Sequence, residues 1–260
     1  MLGDIGLDAL SEVEVLAHIE RAWSEGRGGM VVTPNVDIWR LARRDAEANR
    51  LLRHADIVVA DGVPLLWAAR LAGTPLPERV TGSGLVEALA GRAATLSKSV
   101  YIVGGGAEDT ADRAAVALRR RYPGLRVIGR LVPPYGFDTD QARRDRLVAD
   151  VCSARPDLVF IGLGFPRQEM LAELILRGSP PSWILGCGAG VTIAAGEKRR
   201  ANTFVQRVGA EWLFRLVQEP RRLAKRYLVH DAPAALHMLW LCFRARMRPP
   251  GPGNKHSAAR

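Results

Sequence analysis

Asp61 and Gly62 close an apolar run, Ile57–Ala60. A carboxylate at the end of a buried strand is partly desolvated. Desolvation disfavours its charged form and makes it a better general base. The same Asp could simply cap the helix that follows. Thr33 and Asn35 flank Pro34 at the end of another apolar run. They offer a hydroxyl and an amide to a sugar or to that carboxylate; alone, they read as turn residues. Arg79 precedes Thr81-Gly82-Ser83-Gly84, a cation with hydroxyls that suits a sugar or diphosphate, or else a helix N-cap at Thr81.

Three glycine-rich segments add backbone donors. Gly104-Gly105-Gly106 stands between a strand and a helix, where N–H groups can cradle phosphate. It has neither dinucleotide-fingerprint spacing nor the Lys-Ser/Thr of a Walker loop, and a tight turn explains it as well. Gly162 and Gly164 lead into Phe165-Pro166-Arg167-Gln168-Glu169. Gln168 can read a hydroxyl or base edge and Arg167 can neutralise phosphate; the alternative is a plain helix start. Gly186, Gly188 and Gly190 surround Cys187 and Ala189, for close approach to a ligand or for tight helix–strand packing. Arg221-Arg222 and Lys225-Arg226 lie one helical turn apart. They form a solvated basic face, a surface anchor or a pyrophosphate clamp.

These residues need a scaffold that brings them together. Strands are expected at Met30–Thr33, Ile57–Ala60, Val100–Val103, Arg126–Ile128, Leu158–Ile161 and Trp183–Leu185. Their continuous apolar character suits strands buried on both faces. Helices are expected at Ser11–Ser24, Trp39–Leu52, Leu65–Ala72, Gly84–Ala94, Asp109–Arg121, Gln141–Ala154 and Gln168–Leu176. Ser11 with Glu14 is a capping-box pattern. Strand–helix alternation predicts an α/β fold with a mostly parallel sheet flanked by helices. In such a sheet all carboxyl ends share one edge, where ligands bind. The loops above would therefore converge.

Charge divides the chain. The formal net charge is +10, and the segment from Gly196 onward holds 14 bases against 4 acids, leaving the first 195 residues neutral. Residues 1–195 are expected to form the core and 196–248 a basic helical appendage, with helices over Thr203–Gln218 and Pro220–Tyr227. Residues 249–260 have the composition of a disordered tail. The longest apolar stretch, Ala232–Phe243, is too short to span a bilayer and is interrupted by Pro233 and His237. The acidic start lacks the features of a signal peptide. Three cysteines and five histidines show neither a disulfide framework nor metal-ligand spacing, which suits a reducing compartment. The basic tail admits a membrane surface, nucleic acid or an acidic partner.

The ordered series TPNVDIWRLARRD, ADIVVADGVPLLWAARLAG, LPERVTGSGLVEAL, VYIVGGGAEDTADRAAVALRRRYPGLRVIG, PDLVFIGLGFPRQEML, GCGAGVTIAAGEKRRA and GAEWLFRLVQEPRRLAKRYL resembles the WecG/TagA/CpsF family of bacterial glycosyltransferases. The resemblance runs from about Ile5 to about Leu228. It implies a Rossmann-like fold and an inverting transfer that needs no metal or other cofactor. The donor is a UDP-sugar of the N-acetylmannosamine, uronic acid or glucose class. The acceptor is a sugar on polyprenyl diphosphate, in cell-envelope or exported polysaccharide synthesis at the inner membrane face.

By the same resemblance Asp61 is the catalytic base, assisted by Thr33 and Asn35. Arg79 and Gln168 match the family's substrate-binding residues, joined by Arg215, Arg221 and Arg222 of the appendage; the reading of the residues themselves adds Thr81, Gly104, Gly105, Gly106, Gly164, Arg167 and Gly188 as substrate contacts. The expected partners are donor, acceptor and an anionic membrane surface, without nucleic acid; a homo-oligomer is left open. Two departures stand out. Gly84 occupies a position that is often Asp in the family, and LVPPYGFD replaces a commoner aromatic-rich segment. A nucleotide-binding oxidoreductase and a nucleic-acid-binding protein are the competing classes.

Overall fold

The computed structural model describes residues 5–178, 181–198, 211–218 and 220–247. Its core is one six-stranded parallel sheet in the order β2-β1-β6-β5-β3-β4. The strands are β1 (Gly29–Val32), β2 (Ile57–Val58), β3 (Ser99–Val103), β4 (Arg126–Leu131), β5 (Leu158–Ile161) and β6 (Trp183–Gly186). The helices are α1 (Glu12–Ser24), α2 (Val36–Ala42), α3 (Ala46–His54), α4 (Val63–Leu71), α5 (Gly82–Thr95), α6 (Thr110–Arg121), α7 (Gln141–Ala154), α8 (Arg167–Gly178) and α9 (Gly190–Ala194). The appendage adds α10 (Glu211–Gln218), α11 (Pro220–Lys225), a π-helical segment (Arg226–Asp231) and α12 (Ala232–Met247).

Alternation along each strand feeds two cores. Val31, Ile57, Val100, Ile102, Leu158, Phe160, Trp183 and Leu185 meet α1, α5, α6 and α9 on one face. Met30, Val32, Tyr101, Val103, Val159, Ile161 and Ile184 meet α2, α3, α4, α7, α8 and α12 on the other. Burial on both faces is why these strands read as unbroken apolar runs. Each fully buried aliphatic side chain contributes about 1.5–3 kcal/mol relative to exposure.

Register decides the site. Gly186 stands opposite both Val32 and Ile161, and Ile161 stands opposite Val103. Four strands therefore end in one row, and Thr33, Gly162, Gly104 and Cys187 step off it side by side. Neighbouring strands in this row send their helices to opposite faces: α9 follows β6 on one, α2 and α8 follow β1 and β5 on the other. Such reversals open the crevice in which doubly wound sheets bind ligands.

Three expectations change. Trp39–Leu52 is two helices, because Asp45 accepts from the Ala48 N–H at 2.9 Å and starts α3 afresh. The strand at Arg126 extends to Leu131, whereas the one at Ile57 closes at Val58. Ala232–Phe243 lies within one continuous helix, α12. Pro233 is its second residue, directly after the π-helical segment, and His237 is exposed, so neither breaks it. The expected start at Thr203 and the tail 249–260 lie outside the described residues. The Ser11–Glu14 capping box is present, with the Ser11 hydroxyl oxygen 3.3 Å from the Glu14 N–H and the Glu14 carboxylate 2.7 Å from the Ser11 N–H.

Candidate active site

Three chain segments lie side by side at the carboxyl edge beyond β1 and β2. The Val59 N–H donates to the Val32 carbonyl at 3.1 Å, Asp61 N–H to Pro34 at 2.9 Å, and Val80 N–H to Ala60 at 3.0 Å. This lacing sets Thr33-Pro34-Asn35, Asp61 and Arg79–Thr81 next to one another. Asp61 and Arg79 are both half-buried. α4 takes Gly62 as N-cap with no side-chain capping bond, so Asp61 does not hold the cap position. The capping alternative does describe two neighbours. Asn35 Oδ1 accepts from Ile38 N–H at 3.1 Å, and Thr81 Oγ1 accepts from Gly84 N–H at 3.0 Å. Each hydroxyl or amide donor of those side chains is left over for other use.

Gly82 explains how these segments reach β6. A Cβ there would lie 3.1 Å from both Thr33 Oγ1 and Cys187 Cα. The first turn of α5 thus presses directly on the ends of β1 and β6. Gly84 is buried within that same turn.

The second half of the crevice is tied by Gln168. Its Oε1 accepts from Gly164 N–H and from Gly188 N–H, each at 3.0 Å. Both glycines are left-handed, with φ +78° and +51°, a conformation that costs other residues about 1–2 kcal/mol. Gln168 is 3% exposed and its Nε2 donates to Glu169 Oε1 at 2.7 Å. It clamps the loops after β5 and β6 together. Arg167, in contrast, is exposed and reaches back to the Leu163 carbonyl at 3.2 Å.

Glu169 carries no role in the sequence reading, yet it is wholly buried. Burial pushes its carboxyl up to about 7 against the weaker opposing pull of Gln168. Burial likewise pushes the Cys187 thiol up to about 12, which keeps it neutral. The available signal was positional: Glu169 adjoins the apolar stripe of Leu171, Ala172 and Ile175 on α8. A polar residue there is directed to the core.

The Gly104–Gly106 turn adjoins the same crevice. A Cβ on Gly105 would fall 2.5 Å from the Gly162 carbonyl oxygen, a contact only glycine permits. Gly106 has φ +122°, and Glu197 lies against it, accepting from the Thr110 hydroxyl and the Arg113 guanidinium. Glu197 is thereby held over the first turn of α6.

Arg221 is exposed on α11. Arg215 and Arg222 belong to α10 and α11, and their side chains lie outside the described residues. What does join the appendage to the core is an ion cluster missed in the sequence reading. Arg226 contacts Asp37 of α2 and Asp231, each at 3.2 Å, and Asp37 also pairs with Arg40 at 2.5 Å. Met238 and Cys242 of α12 are buried in the core against α2 and α4.

The model of the Glycosyl transferase WecG/TagA/CpsF family matches residues 1–249. The chain is 27% identical over 209 residues to an N-acetylglucosaminyldiphosphoundecaprenol N-acetyl-beta-D-mannosaminyltransferase of Bacillus spizizenii, covering 80% of this chain and 78% of the relative. Proteins of the same name in Bacillus subtilis and Staphylococcus aureus are 26% and 25% identical, covering 79% and 75% of this chain and 78% and 74% of theirs. A match of that extent, together with a parallel sheet whose loops meet where the family motifs fall, places the chain in the WecG/TagA/CpsF family of glycosyltransferases.

Proposed function

We propose that this glycosyltransferase moves N-acetylmannosamine from a UDP-linked donor to N-acetylglucosamine carried on a polyprenyl diphosphate. The relatives' names supply the sugar and carrier. The observation that carries the reading is the lacing of Asp61 beside Thr33 and Arg79 at the carboxyl edge. Asp61 accepts the proton of the acceptor hydroxyl as its oxygen attacks the anomeric carbon. The bond from that carbon to the diphosphate oxygen breaks in the same displacement, so configuration inverts. The departing diphosphate needs positive charge and N–H donors. Arg79, the Gly104–Gly106 turn and the appendage arginines Arg215, Arg221 and Arg222 serve that end. Thr33, Asn35 and Thr81 orient the sugars.

Residues 196–248 act as an appendage that brings the core to an anionic bilayer at the inner face of the cell membrane. Two observations support this. α12 buries Met238 and Cys242 but exposes Leu236, Trp240, Phe243 and Met247 along a second stripe. Arg244 stacks on Trp240 at 4.5 Å, setting a cation beside the apolar surface. Among the described residues no helix is long and apolar enough to cross a membrane, so the contact would be interfacial.

The test is release of UDP from UDP-N-acetylmannosamine in the presence of a short polyprenyl-diphosphate N-acetylglucosamine. Turnover that requires both compounds is the expected result. Absence of product with this donor, but transfer from another nucleotide sugar, would overturn the choice of sugar alone. Absence of transfer from every donor would overturn the acceptor assignment.

A further inference from the structure

Gln168 and Glu169 form a polar chain inside an apolar layer. Glu169 Oε1 receives the Gln168 Nε2–H, and Gln168 Oε1 receives two backbone N–H groups from different loops. The chain sits over Gly186, where a Cβ would come within 2.7 Å of Glu169 Oε1 and 2.8 Å of Gln168 Nε2. Gly186 is the residue that lies level with the ends of β1 and β5. The network therefore occupies the centre of the crevice floor, joining α8 to the Gly164 and Gly188 loops.

We propose that Glu169 is a positioning residue for sugar transfer: as a carboxylate it holds the Gln168 amide in the orientation that clamps the two glycine loops, and on protonation it loosens them. The reason is bond polarity. A hydrogen bond to a charged acceptor is about twice as strong as one to a neutral acceptor. Pulling on the amide N–H also polarises its carbonyl, which strengthens the bonds that Oε1 accepts. The neutral acid gives up both gains.

Burial sets this device near neutrality. Glu169 is pushed up to about 7 by loss of solvent, and its Oε2 has no hydrogen-bond partner among the described residues. Other titratable groups face α8, His54 of α3 among them, so the comparison with Glu169→Gln is what assigns the response to Glu169. The nearby Cys187 thiol stays neutral. Glu173, one turn along α8, is held ionised by Arg50 and His54 of α3, with Arg177 alongside. Asp150 of α7 is bonded to Tyr101.

The catalytic part of the proposal rests on the transfer reading above, whereas the clamp itself does not. Backbone amide exchange in the whole chain separates the two. Protection in peptides covering Gly162–Gln168 and Gly186–Gly190, corrected for intrinsic exchange, is measured from pH 8 to pH 6. The wild type is expected to lose protection several-fold in these two loops as pH falls. Glu169→Gln, of equal size and uncharged, is expected to show a flat response. Gln168→Ala should leave both loops unprotected at every pH. A merely structural Glu169 would instead let the two loops follow the rest of the fold, which gains protection on acidification because the buried acid prefers to be neutral. Loop protection that is flat or rising in the wild type, or a fall that survives in Glu169→Gln, overturns the clamp. A clamp that behaves as stated, with kcat unchanged in Gln168→Ala, overturns the positioning role alone.

Discussion

The crevice and the appendage handle polarity in opposite ways. In the crevice, polar atoms are turned inward and matched to backbone. Gln168 binds two loops from a nearly closed position, Thr81 caps α5 while buried, and Thr33 packs against Gly82. In the appendage, large apolar side chains are turned outward: Val217, Leu228, Leu236 and Met247 are each more than 60% exposed. Such exposure is costly in water and sensible beside lipid. On the proposed function, the contrast separates a part that holds geometry from a part that holds a location. The two meet at the Asp37–Arg40–Arg226–Asp231 cluster, one turn beyond the Thr33–Asn35 loop.

That division can be broken most sharply at Asp61. Asp61→Asn should leave the circular dichroism spectrum unchanged while lowering turnover by about 10²–10⁴-fold, the usual share of a general base. Turnover within a few-fold of wild type would remove Asp61 from the reaction. Liposome binding by this variant should be unaltered, which keeps the two functions separate.

Glu169 gives the next largest effect, on stability. The folded protein holds its proton up to about 7, whereas an ordinary Glu releases it near 4.5. Between those values the folded state binds more protons than the unfolded state, so stability falls as pH rises through the window. The loss is on the order of 3 kcal/mol for a shift of this size. Urea unfolding at several pH values should show that decline in the wild type and lose most of it in Glu169→Gln. An equal decline in both would assign it to another group.

Arg226→Ala tests the joint between the regions. It leaves Asp37 and Asp231 facing each other in a partly buried setting, where burial already pushes the Asp231 carboxyl up. Because Arg226 is one-third exposed, the expected cost is about 1–3 kcal/mol, less than for a fully buried pair. Turnover should fall with it if the cluster positions the appendage over the crevice. Stability loss with full turnover would make the joint purely structural.

The smallest effect on folding should come from Trp240→Ser combined with Phe243→Ser. Both side chains are about half exposed, so thermal stability should move by roughly 0.5 kcal/mol or less each. Binding to anionic liposomes should nevertheless weaken measurably in a sedimentation assay. Undiminished binding would place membrane contact elsewhere in the chain.

Much of this was legible in the residues. Continuous apolar runs located five of the six strands, since a strand buried on both faces has no polar side to show; the edge strand β4, RVIGRL, alternates and was placed only at its start. The turn residues that follow them located the crevice, since a parallel sheet carries its carboxyl ends to one edge. Asp61, Thr33, Arg79 and Thr81 stand out by residue type at the ends of apolar runs, and the lacing through Pro34 and Ala60 brings them together. The break between α2 and α3 was missed because Asp45 looks like one more polar residue on a helical face. Only its bond to Ala48 shows it as a cap.

By itself the sequence determined the fold class, the row of chemically capable loops and the concentration of charge after residue 196, because these follow from local pattern and composition. Tertiary structure alone decided which polar residues face inward. Glu169 and Gln168 are adjacent in a motif, but only the packing of α8 over Gly186 buries one, turns the other into a clamp and moves a proton affinity toward neutrality. It also decided that the apolar stretch from Ala232 is a docked helix with a second face to spare. Burial, partner and charge state are properties of neighbours brought together from distant positions, and no run of residues contains them.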